Sequence, residues 1–326
     1  MIKKIIFLVM FFCVFVVIAD DEGCKRKIKV LIVDGQNNHN VWPKSTIMMK
    51  QYLEDTGLFK VHIARTQYLN KSIKFKEWLP LAKKVPNGVE GKPRKDPDFK
   101  PKFSKYDVVI SNFGWRAAAW PEETKANFET YIKNGGGFVS VHAADNSFPK
   151  WEAYNKMIAI GGWGGRTEKN GPYLYVDEND ETKRDYSVGK GGDHGKKSAF
   201  LITTYNNEHP ITKGIPKTWM HAPDECYAYL RGPAENVTIL ATAVSTKKDP
   251  ELQQKEPVLM AINYGKGRVF HTTLGHDSKS FECVGFITLL TRGIEWAATN
   301  NVTLTELPKD FPSANEVSVR DFIYKK

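Results

Sequence analysis

Apolar residues along the chain fall into short unbroken runs separated by stretches of helical spacing. Ile28-Lys29-Val30-Leu31-Ile32-Val33 runs into Asp34-Gly35, the pattern of a parallel strand buried on both faces and ended by a turn. Residues 43–55 follow with helical spacing and a stop at Gly57, and 59–64 reads as a second strand. The cycle then repeats. A strand is expected at 106–112, and a helix opens on Pro121 and ends at Asn134-Gly135. A strand over 138–141 precedes a helix over 151–160. Further strands are expected at 199–204, 237–243, 257–264 and 267–273, with a last helix at 286–298 covering one sheet face. This alternation predicts an α/β fold with a parallel sheet and right-handed crossovers. Two stretches break it: 70–105, rich in Lys and Pro, and 161–197, rich in Gly and polar residues. Both read as long surface insertions in a single domain, since neither a repeat nor a second core is visible.

The first residues carry a different pattern. Lys3 and Lys4 precede an apolar run over 5–19, with the small residues Val17 and Ala19 at −3 and −1 of a cut before Asp20. That predicts a signal peptide at 1–19, a short linker at 20–27, and an exported protein, periplasmic or extracellular. The run, about 15 residues, falls short of the about 20 that a span needs, so no stable membrane span is expected after its removal. Loss of the leader discards Cys13 and leaves Cys24, Cys226 and Cys283, which cannot all pair within one chain. A disulfide scaffold is therefore excluded, even in an oxidising compartment. The net charge of +10 changes little. It is diluted along the chain and densest at 92–105, and no helix-turn-helix, zinc-finger or RNP signature accompanies it. No nucleic-acid partner is expected; the charge serves a solvated surface.

In an open parallel sheet, ligands bind beyond the carboxyl ends of the strands. Those ends supply Asp34 and His39, Asn112 to Trp115, His142 and Asp145, and His276-Asp277. Glu225 and Tyr227 follow a proline turn at Pro223. Each has a plainer role open to it: Asp34 capping a turn, Asp145 capping the next one, His276-Asp277 starting a helix. Together, histidines from separate strands point to acid–base or metal chemistry. No Gly-x-Ser-x-Gly elbow, phosphate-binding P-loop, dinucleotide Gly-x-Gly-x-x-Gly, His-Glu-x-x-His or Cys-x-x-Cys occurs.

The ordered set Gly135-Gly136-Gly137-Phe138, Val141-His142-Ala143-Ala144, His209-Pro210-Ile211, Asp224-Glu225 with Tyr227, Tyr264-Gly265-Lys266-Gly267-Arg268-Val269-Phe270 and Gly275-His276-Asp277 resembles the ThuA-like (trehalose utilisation) family. The likeness covers 29–298, within a domain at 28–300 followed by a C-terminal extension at 301–326. It implies the class I glutamine amidotransferase-like fold: a flavodoxin-like three-layer sandwich with a mostly parallel central sheet. In amidotransferases the strand matching 138–141 delivers a nucleophilic cysteine. Here His142 stands at or next to that place, so glutaminase chemistry is not expected. The family is associated with disaccharide and keto-sugar metabolism, which makes a small sugar the expected partner.

Three expectations follow. The first is an exported carbohydrate-processing enzyme of isomerase, lyase or hydrolase type. In it His142 and His276 act as base and acid, Glu225 assists, Asp277 orients a histidine, and Asp34, His39, Trp115, Asp145 and Tyr227 contact substrate. The second is a divalent metal such as zinc held by His39, His142 and His276, with Glu225 as a candidate fourth ligand. The third is a non-catalytic sugar-binding module with Trp115, Trp163, Tyr173, Tyr175 and Tyr186 as stacking surface.

Overall fold

The computed structural model describes residues 26–70, 73–247 and 254–326. The expected signal peptide, with Cys13, and the start of the linker, with Cys24, lie outside them. Nine strands form the main sheet: β1 (Ile28–Asp34), β2 (Phe59–Arg65), β3 (Val108–Ser111), β4 (Gly137–Val141), β5 (Ser198–Thr204), β6 (Thr218–Asp224), β7 (Val237–Ala243), β8 (Glu256–Tyr264) and β9 (Gly267–Thr272). Their spatial order is β6-β5-β7-β8-β9-β4-β3-β1-β2.

Alternation along β1 explains the layering. Val30 and Ile32 face a core shared with α1 (Trp42–Asp55) and the C-terminal helix α5 (Val284–Thr299). Leu31 and Val33 face the opposite core, shared with α2 (Glu122–Lys133) and α3 (Glu152–Ile158). Gly137 lets α5 approach the sheet: a Cβ there would come 2.5 Å from the Ala297 carbonyl oxygen. Gly135, at φ +113°, makes the turn from α2 into β4.

The expectation of a mostly parallel sheet holds for one half only. β2, β1, β3, β4 and β9 are mutually parallel, whereas β9–β8, β8–β7, β7–β5 and β5–β6 are antiparallel. The cause is connection length. Tyr264 pairs with Gly267 across only Gly265 and Lys266, and so short a link permits only an antiparallel hairpin. β6 lies where a proline turn was expected. Pro223 is tolerated in it because β6 is the sheet edge, and the C-terminal extension covers that edge through Met220 N–H to Ser313 O at 2.8 Å.

The two insertions are structured rather than bare loops. In the first, Phe99 and Phe103 are buried against Trp120. The second is held by two buried arginines, Arg166 inside it and Arg231 beyond its end, which collect backbone carbonyls. Arg166 reaches Gly162 and Ser147, and Arg231 reaches Gly171, Ser187 and Gly189. A guanidinium with five donors suits this work, because loop carbonyls have no ladder to join. Cys226 and Cys283 are both buried and free.

Candidate functional site

β1, β4, β6 and β9 all point their carboxyl ends at one edge of the sheet, and each delivers a site residue within a few positions of its end. After β1, the Asn37 side chain donates to the carbonyls of Asn112 and Phe113 and accepts the His39 N–H at 2.8 Å. That turn places His39. After β4, His142 takes a left-handed backbone, φ +45°, a strained strand-to-helix corner for a residue with a Cβ. Its Nδ1–H donates to the Thr273 carbonyl at 2.6 Å. This fixes the tautomer and leaves the Nε2 lone pair facing the Tyr227 hydroxyl, which donates to it at 2.8 Å.

Glu225 and His276 are set by a buried carboxylate between them. Asp224 accepts the backbone N–H groups of Glu225 (2.8 Å), Gly275 (2.8 Å) and His276 (3.0 Å). It also accepts the ring N–H of His221 at 2.8 Å, and neither side chain is exposed. Two segments distant in the chain are thus tied to one anion. With them in place, the ligating atoms of His39, His142, Glu225 and His276 all lie within 4.8 Å of one another. The imidazoles meet edge to face, with His39 ring centroids 4.8 Å from His142 and 4.6 Å from His276. The Tyr227 hydroxyl completes the group, 3.4 Å from His39 Nε2.

The protonation states divide. Burial pushes His39 down to about 4, with His276 adding to the effect. Burial, followed by its histidine neighbours, carries His142 well below the ordinary imidazole range. Both are neutral bases at pH 7. Burial acts the same way on His276, but the adjacent Glu225 carboxylate outweighs it and the net shift is upward. Burial likewise works to raise Glu225, and its histidine neighbours reverse this to a net lowering. Above the cluster opens a cleft of about 530 Å³, walled also by Asn38, Trp115, Asn146, Trp163 and His194.

His39, His142, Glu225, Tyr227 and His276 therefore converge as expected, with Trp115 at the mouth. Three expected residues do not join them. Asp34 is fully buried and spends its carboxylate on Arg65, at 2.8 and 2.9 Å, and on the Thr46 hydroxyl. Asp145 is fully buried against His271, 3.4 Å away, beneath the site rather than lining it. Asp277 orients no histidine. It caps α4 (Ser278–Glu282), accepting the N–H groups of Lys279 and Ser280, and pairs with Lys197. The stacking set expected for a binding module also scatters: Trp115 and Trp163 reach the cleft, while Tyr173, Tyr175 and Tyr186 are not among its lining.

Asp224, His221, Thr273 and His194 were not anticipated in these roles. Asp224 stood beside Glu225 in the motif and was the one with a readable signal. His194 comes from the second insertion, its Nδ1 3.6 Å from Glu225.

The trehalose-utilisation (ThuA) family profile matches residues 29–297. A ThuA-like protein of known structure from Parabacteroides merdae is 38% identical, covering 91% of this chain and 98% of its own, with a TM-score of 0.78. A second, from Bacteroides uniformis, is 16% identical over 86% of this chain and 97% of its own at a TM-score of 0.52, a likeness of fold alone. No curated protein matches the chain.

Proposed function

The chain belongs to the trehalose-utilisation (ThuA) family, and from that premise we propose that it is an enzyme acting on a small carbohydrate, a disaccharide or keto-sugar, in the cleft at the strand ends. The observation that carries this reading is the convergence of three imidazoles, a carboxylate and a phenol on one point beneath an aromatic-walled opening. A module that only binds sugar needs the aromatic walls and a few hydrogen bonds. It has no use for a strained histidine whose tautomer is fixed from behind.

The groups suit proton movement next to a sugar carbonyl, or its polarisation by a bound cation. Neutral imidazole accepts a proton at neutral pH, and the Tyr227 hydroxyl, bonded to His142, is placed to relay one. Glycoside hydrolysis by a carboxylate pair fits poorly, because Glu225 is the single carboxylate lining the cleft among the described residues. The strand order of the parallel half, 2-1-3-4-5 in chain order, supports a flavodoxin-like reading of that half. His142 then occupies the corner where amidotransferases of that fold keep their thiol. Export through the 1–19 leader belongs to the same proposal.

The test is turnover of trehalose and of keto-disaccharides by the purified chain, compared with His142→Ala. Turnover falling by orders of magnitude in a folded variant supports the assignment. Undiminished turnover ends it.

A further inference from the structure

We infer that His39, His142, Glu225 and His276 form a binding site for one divalent first-row transition cation, with zinc as the natural occupant of an imidazole-rich set. This deepens the reading above and depends on it only for the substrate. The donors come from four chain segments, and no two of them are sequence neighbours, so local structure does not account for their meeting. Their spacing has a chemical meaning. Metal bonds of about 2.1 Å at tetrahedral or octahedral angles separate neighbouring donor atoms by about 3.0–3.4 Å. His276 Nδ1 and Glu225 Oε2 lie 3.0 Å apart, yet that Nδ1 is buried and lacks hydrogen-bond alignment with any partner. The whole set lies within 4.8 Å, so the farthest donors need close by only about half an ångström to meet the about 4.2 Å that two bonds of about 2.1 Å span.

Support from behind the donors points the same way. Metal-binding histidines generally donate their other ring N–H to a carbonyl or carboxylate, which fixes the tautomer. His142 does this to Thr273 at 2.6 Å, so its Nε2 lone pair, which accepts the Tyr227 hydroxyl in the metal-free site, is the one an ion takes, and the base role then passes from His142 to another group. Glu225 and His276 are held through their backbones by Asp224. Neutral imidazole with one carboxylate suits zinc, cobalt, nickel or iron(II), and suits calcium or magnesium poorly, since those prefer all-oxygen shells. Three imidazoles and one carboxylate are four protein donors, so an ion that takes five or six has room for a substrate oxygen. Tyr227 and His194 line the same cleft.

The experiment uses the full mature chain without a polyhistidine tag, stripped with chelator and titrated with Zn²⁺ and Co²⁺ in the absence of sugar. One ion per chain is expected, with Co²⁺ giving visible absorption that saturates at the same ratio. His142→Ala and His276→Ala should each weaken binding by more than the about 10–100-fold typical of losing an outer supporting group. Glu225→Gln, nearly identical in shape, should weaken it while leaving the thermal transition of the metal-free protein in place, which separates ligand loss from misfolding. Absence of saturable binding in the folded wild type overturns the inference, as does equal binding by a His39→Ala/His142→Ala/His276→Ala triple variant. Sugar turnover by a chain that binds no ion overturns it while leaving the carbohydrate reading standing. Metal bound tightly with no sugar turned over has the opposite consequence.

Discussion

Asp224→Asn tests whether one buried anion organises the site. The carboxylate accepts four N–H groups at 2.8–3.0 Å: Glu225 and His276 on one oxygen, His221 and Gly275 on the other. An amide of the same shape offers one acceptor and turns an NH2 toward the other two donors. With the oxygen kept on the Glu225 and His276 side, the His221 and Gly275 donors lose their acceptor. Each buried unsatisfied donor costs about 1–3 kcal/mol, so the loss is about 2–6 kcal/mol. Burial alone would lower His221, but Cys283 and Asp224 raise it to about 10, so at neutral pH both ring nitrogens carry protons and no tautomer shift relieves the loss. Urea unfolding followed by circular dichroism and by tryptophan fluorescence measures it. The same variant should bind Co²⁺ about 10–100-fold more weakly, because the backbones carrying Glu225 and His276 lose their common anchor. An Asp224→Asn variant as stable as wild type, to within about 0.5 kcal/mol, would refute the clamp.

His209, packed on Trp296 away from the cleft, is pushed down to about 4 by burial. The unfolded chain therefore takes up a proton near pH 6.5 that the folded chain refuses, so stability is full above 6.5 and falls as pH drops toward 4. Replacing His209 with Gln should flatten that part of the acid limb, read as a wild-type-minus-variant difference in urea midpoint between neutral and mildly acidic buffer; a difference independent of pH contradicts it. Trp115 is 38% exposed at the cleft mouth with the Arg116 guanidinium 4.0 Å from its ring centroid. Trp115→Ala should raise KM about tenfold, equivalent to about 1.4 kcal/mol, with kcat and stability nearly unchanged. Unchanged KM would remove Trp115 from the substrate wall.

Much of the fold was legible because apolar runs and helical spacing are local signals. β1, β2, β3, β4 and their helices followed from them directly. The antiparallel half was partly legible, since β7, β8 and β9 follow one another with no helical stretch between. β6 was hidden by Pro223, whose acceptability depends on being at an edge, a property of the whole sheet. The carboxylates divided for similar reasons. Asp277 is followed three residues on by Ser280, and the reciprocal cap they form was readable as a structural role. Asp34 is claimed by Arg65 from the adjacent strand, a partner that only the β1–β2 register supplies. Asp224 acts through the backbone amides of Gly275 and His276, far along the chain, which no spacing rule reveals.

The central claim is that separate strand ends form one reactive unit. Its most direct measurement is a double-mutant comparison of keto-disaccharide turnover in His142→Ala, His276→Ala and the pair together. Groups acting as one unit are strongly non-additive. Each single change is expected to remove nearly all turnover, and the double variant to be worse than either by only a few-fold. Losses that multiply, or a single variant with wild-type turnover, would contradict it.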